Sequence, residues 1–154
     1  MDSADRSDLR VALHRQAWAR AALLVALVYL VVGLAFGSLA GSATSHQMRT
    51  TLRLFAWAVS AIAFAWQIWY EVFRLRSTRI NAAIHIAVAV ALGAFGLAAA
   101  ANIHAYRAGS AHRSSLAISL LAWPVLTGVP AFVVALLAAQ ALTGVRKRAG
   151  DRKL

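Results

Sequence analysis

Cysteine is absent from this 154-residue chain, which excludes disulfides, thiolate nucleophiles and cysteine-ligated metal centres. Acid is nearly absent as well. Only five residues are Asp or Glu, and a single one of them, Glu71, lies between residues 9 and 150. Charged residues of both signs make up 14% of the chain, against about 25% in an ordinary soluble domain. With 61% hydrophobic residues, the chain has too little polar side-chain material to cover a water-facing surface. A soluble globule and a disordered tail are both excluded by this balance.

What is present is a set of long stretches without charge. Residues 21–48, 54–70, 80–106 and 114–145 contain no Asp, Glu, Lys or Arg. A spanning helix needs about 20 mostly apolar residues. Three stretches clear that length, and the second reaches it when Glu71 stands near a membrane face. The expected fold is therefore all-α: a polytopic integral membrane protein forming a four-transmembrane-helix antiparallel bundle, with helices at 18–40, 52–74, 80–106 and 115–143. Residues 1–17 form a mixed basic and acidic cytoplasmic segment, and 144–154 a basic cytoplasmic tail. Alternation of period two is missing, which argues against a β-barrel. The short connections make a single membrane domain of antiparallel neighbours.

The basic residues orient the bundle. Twelve of the sixteen lie before the first helix, between the second and third, or after the fourth. Arg49, Arg53, Arg107 and Arg113 lie on the other side. The excess places both termini in the cytoplasm. Trp18, Trp69 and Tyr70 fit interfacial positions on that inner side, and Trp57 and Tyr106 on the outer. Arginine outnumbers lysine 14 to 2, which together with abundant alanine suggests bacterial coding and a bacterial inner membrane. The sequence Ala40-Gly41-Ser42-Ala43 resembles a signal-peptide cleavage site. The 20-residue leader with Asp2, Asp5 and Asp8, and an apolar run beyond the usual length of roughly 7–15, argue for a retained first helix. The net charge of +11 follows from this topology, so no nucleic-acid partner is expected. The bilayer itself is the main partner, with anionic lipids at the basic tail.

Several residues break the apolar pattern. Gly33, Gly37 and Gly41 recur every four residues, a spacing that makes a flat groove for close helix packing. Gly93 and Gly96 mark a second packing face on the third helix. The partner is either another helix of the chain or another copy in a homo-oligomer or larger membrane complex. In the second helix, Ser60, Gln67, Glu71 and Arg74 form a polar stripe opposite Ile62, Trp66, Trp69 and Phe73. The stripe should face the bundle and the aromatics lipid. The plainer expectation for Glu71 is an interfacial ion pair with Arg74. The alternative is a protonatable carboxylate on a transport path. Asn81 and His85 sit one turn apart at the start of the third helix. His85 is expected to be satisfied by Asn81 or a backbone carbonyl, with a Glu71–His85 relay across the hairpin as the alternative.

Pro124 and Pro130 bracket Gly128, and each removes an amide hydrogen from the helix. A kink or local unwinding is expected there. His46, His104 and His112 are weak metal candidates whose spacing matches no ligand motif, so no metal site is expected. A haem needs two axial ligands at one depth. His85 has only His14 near its level, and His104 only His46, so no cofactor is expected. There is no phosphate-binding glycine loop, no HExxH and no aspartate within the spans, and enzymatic function is not expected. These features favour a structural or accessory membrane subunit packing through glycine faces. A small transporter or channel using Gln67, Glu71 and His85 is the alternative, and a metal- or haem-binding membrane protein the third reading. A faint echo links Ala40–Ala43 and Leu54–Trp57 with Ala108–Ala111 and Leu120–Trp123, as a duplicated two-helix hairpin would.

Overall fold

The computed structural model of the protein describes residues 3–107 and 113–151, with side chains at 12–13, 15–107 and 118–144. Four helices make up the fold: α1 (Ser3–Ser42), α2 (His46–Trp69), α3 (Arg79–Arg107) and α4 (Arg113–Asp151). A π-turn, Tyr70–Arg74, ends α2. No strand occurs among the described residues. Each helix contains a segment long and apolar enough to cross a membrane: Arg15–Ser42, His46–Arg74, Arg79–Arg107 and Ile118–Gly144. At about 1.5 Å per residue, even the shortest of these exceeds the roughly 30 Å of hydrocarbon in a bilayer. Helix is the only open-ended structure that satisfies its own backbone there.

The helix limits are set by caps and breakers rather than by the edges of the apolar runs. α1 begins far ahead of residue 18, because no glycine or proline interrupts the chain before Gly33. α2 begins at His46 rather than 52. Ser45 is extended at φ −108 and ψ 147, and its side chain accepts from the Met48 amide at 3.1 Å. That N-cap contributes about 1 kcal/mol and leaves a connection of three residues. Thr78 does the same for α3, accepting from the Asn81 amide at 3.3 Å. α4 runs past residue 143 as far as Asp151.

The neighbours are not simply sequential. α1 packs against both α2 and α3, and α3 packs most heavily against α4. α2 touches α3 and α4 only lightly. α1 and α3 run parallel in a steady register: Trp18 meets His85, Tyr29 meets Gly93, Leu30 meets Gly96 and Gly33 meets Leu97. α3 and α4 run antiparallel, with Ala91 over Gly128 and Asn102 over Ser119. The resulting order is α2–α1–α3–α4. A duplicated hairpin produces this order when its two copies meet through their first helices. The second copy of the echoed turn, at 108–111, lies outside the described residues.

The hydrophobic core sits toward the α2–α3 turn. Ile68 and Val72 pack with Ala83 and Ile86 of α3 and with Ala135 and Ala139 of α4. Ala22 and Val25 of α1 pack with Ala89 of α3. Alanine dominates because small side chains let helix backbones come close in a solvent where apolar burial gains little.

Of the kink or local unwinding expected at the prolines, the unwinding does not occur. α4 remains helical through Pro124, Gly128 and Pro130. A helix in lipid has no water to accept freed backbone groups, which favours keeping it wound. Thr127 donates its hydroxyl to the Trp123 carbonyl at 2.8 Å.

Candidate functional site: a buried polar centre at the α2–α3 turn

The π-turn builds the site. Leu75 donates its amide to the Tyr70 carbonyl, five residues back, at 3.1 Å. Arg76 then turns left-handed at φ 50. The Ser77 amide reaches the Glu71 carbonyl at 3.1 Å and closes the helix end. This is a Schellman-type closure widened by one residue. The same serine donates its hydroxyl to Glu71 Oε2 at 2.7 Å. Ser77 is therefore fastened to Glu71 by main chain and side chain together.

The other carboxylate oxygen faces α3. Glu71 Oε1 lies 3.1 Å from His85 Nδ1, the one ion pair found among the described residues when the ring is protonated. Glu71 is 0% exposed and the His85 side chain 15%. Trp18 of α1 covers the His85 ring, stacked at 4.2 Å with the planes 2° apart. One carboxylate thus joins the α2 end, the turn and α3, and the stacked indole adds α1. Burying a carboxylate costs several kcal/mol, and close hydrogen-bonded partners are what offset it. Here each oxygen has one.

One turn before Glu71, Gln67 is equally buried, and neither atom of its amide has a hydrogen-bond partner. An unsatisfied buried amide costs about 1–3 kcal/mol. Gln67 is the one polar side chain of the cluster that the local packing does not explain.

Two expectations about this cluster are corrected. Glu71 does not pair with Arg74. The π-turn turns the carboxylate inward while Arg74 stays exposed. His85 is not satisfied by Asn81, which is exposed and uses its backbone amide to complete the Thr78 cap. Trp66, Trp69, Phe73 and Ile62 are all substantially exposed on the far side of α2. Sequence reading also missed two members of the cluster. Ser77 lies in a turn too short to attract notice, although a serine just after a helix end is a ready partner for freed groups. Trp18 looked like an interfacial anchor, and its depth near His85 was the available signal. Asn102 was missed as well. It donates to the Ala98 carbonyl at 2.8 Å and to Ser119 Oγ at 3.1 Å, tying α3 to α4 inside the apolar span.

The glycines divide. A side chain at Gly93 would meet Tyr29 Cβ at 2.8 Å and the Ala26 carbonyl at 3.3 Å. At Gly96 it would meet Leu30 at 3.1 Å, and at Gly33 Leu97 at 2.6 Å. Among the described residues nothing would lie within 4 Å of a side chain at Gly37 or Gly41. The expected packing groove is used by the chain at Gly33 only. Beyond it, two clefts open on either side of α1. The α1–α3 cleft, of about 720 Å³, includes Leu34, Gly37, Ser38, Leu97, Ala100 and Ala101. The α1–α2 cleft, of about 490 Å³, ends at Arg49 and Arg53.

Among the described residues, no three His, Asp or Glu side chains gather as metal ligands. His46 and His104 are exposed, and His112 lies outside the described residues, as does the side chain of His14, the one candidate to face His85 across a haem. The basic tail side chains are likewise outside them. No protein-family model, curated protein or solved structure matches the chain.

Proposed function

We propose that the chain is a non-enzymatic accessory subunit of a bacterial inner membrane, with both termini in the cytoplasm. Its Glu71 end is closed by its own contacts. Its other end offers the α1–α3 cleft to a transmembrane helix of a partner subunit. The observation that carries this reading is Gly37, which lies on the wall of that cleft with none of the described residues within 4 Å of a Cβ position. Small residues at such a position allow a second helix to approach closely, and Ser38, Ala100 and Ala101 extend the small surface. The orientation rests on the twelve-to-four distribution of basic residues.

The absence of native cysteine makes the test clean. Ser38→Cys or Ala101→Cys, labelled in native membranes with a thiol-reactive photo-cross-linker, should give a discrete adduct. Twice the monomer mass identifies a second copy, and any other mass a different subunit. Lipid adducts alone from both positions would overturn the reading. Reporter fusions finding the two termini on opposite faces would overturn the orientation.

A second reading, a small proton-linked transporter or channel, is favoured by Gln67. Its unpartnered amide stands one turn from the buried Glu71–His85 pair, and buried ionisable groups in membrane spans commonly mark ion paths. Under this reading Glu71→Gln abolishes pH-dependent ligand binding or flux, and wild-type behaviour of that variant ends it.

A further inference from the structure

The arginines at the open end raise a question of charge that the chain does not answer internally. Arg49 and Arg53 are one turn apart on the same face of α2, and both border the α1–α2 cleft. Arg49 donates through Nη2 to the carbonyl of Ala43, in the α1–α2 connection, at 3.3 Å. No acidic residue occurs from 9 to 70 or from 72 to 150, and Glu71 is buried at the opposite end of α2. Among the described residues no carboxylate stands near these two exposed guanidinium groups, so they are free to take an anion from outside.

Below the arginines the cleft is an open groove whose side chains are glycine, alanine and aromatic. Gly37 and Gly41 leave one wall bare, Ala56 and Trp57 form the other, and Ala40, nearly buried, closes the floor. Cations lead directly into a groove that runs along two membrane helices. We propose that this cleft is a binding site for an anionic glycerophospholipid. Its phosphodiester is held by Arg49 and Arg53, and one acyl chain lies along Gly37 and Gly41. The geometry favours this occupant over another helix on two grounds. The mouth carries paired fixed charge, which matches a headgroup phosphate in forked guanidinium geometry. The groove is also the smaller of the two, about 490 Å³ against about 720 Å³ for the α1–α3 cleft. The site shares Gly33 and Gly37 with the α1–α3 cleft, but Arg49, Arg53, Gly41, Ala56 and Trp57 line this cleft alone, so its charge does not depend on the accessory reading.

The test uses the full chain, extracted in mild detergent and incubated with phosphatidylglycerol or phosphatidylcholine, with bound lipid counted by native mass spectrometry. One basic side chain at an anionic membrane surface is worth roughly five-fold in binding. The expected result is phosphatidylglycerol retained at least ten-fold over phosphatidylcholine. Arg49→Gln with Arg53→Gln should remove that preference. Ala56→Leu, which keeps both charges and fills the groove, should remove retention of either lipid. Should the double variant fold poorly, Ala56→Leu alone decides the matter. Inorganic phosphate added at millimolar concentration should fail to displace the lipid, because it lacks the chain. Equal retention of both lipids, undiminished retention in Ala56→Leu, or full displacement by phosphate would each overturn the proposal.

Discussion

At the Glu71 end of the bundle, four helices meet, the core is filled, and a buried carboxylate is fastened to a turn and to a neighbouring helix. At the Arg49 end, two clefts flank α1, and Gly37 and Gly41 stand bare. The two ends are made of the same apolar helices, so hydropathy does not distinguish them. What differs is the presence of a polar anchor. Apolar helices in lipid gain little by touching one another. They close where small residues interlock or where a buried polar group finds its partner nowhere else. The first condition holds along α1–α3 and α3–α4, and both hold at the α2–α3 turn. α2 has neither toward its His46 end, and along its length it packs on α1 but only lightly on α3 and α4.

The largest effect is expected for His85→Ala, which leaves Glu71 without its ring partner and Trp18 without its stack. Breaking a buried pair in this way should cost about 3 kcal/mol in denaturant unfolding from micelles. Arg49→Ala, at the other end, should leave the midpoint nearly unchanged. Similar losses from both would erase the distinction between the ends. A smaller contrast separates two glycines of like sequence setting. Gly93→Ala drives a methyl against Tyr29 and the Ala26 carbonyl and should cost about 1–3 kcal/mol. Gly37→Ala meets nothing among the described residues and should stabilise the isolated protein by about 0.5–1 kcal/mol through helix propensity. The same melting curves read both. The smallest effect is at the turn. Among the described residues Arg76 is the one non-glycine with positive φ, and Arg76→Gly should relieve that strain for a net gain of about 0.5 kcal/mol. A loss there would mean that the arginine side chain contributes more than its backbone costs.

Much of the fold was legible because charge gaps alone delimit membrane helices. The stripe of Gln67 and Glu71 was legible from helical spacing, and so was the nearness of Glu71 to His85 across a short hairpin. The choice between Arg74 and His85 as partner was not, since it turns on one extra residue in the helix end. A π-turn leaves no mark in periodicity over five residues. The lateral order α2–α1–α3–α4 was equally hidden. Short connections imply antiparallel neighbours and say nothing of the parallel contact between α1 and α3, which depends on Gly93 and Gly96 receiving Tyr29 and Leu30. The division among Gly33, Gly37 and Gly41 was hidden for the same reason, because one spacing serves a filled groove and an empty one alike.

The idea that a single carboxylate–imidazole contact closes one end of the bundle is tested most directly by a double-mutant cycle with Glu71→Leu and His85→Leu, read by unfolding in one detergent. The two changes should couple by about 2 kcal/mol or more, and the double variant should be more stable than either single one, because apolar replacement removes both buried polar groups at once. Strictly additive losses would show that Glu71 and His85 do not hold each other, and the closed end would need another cause.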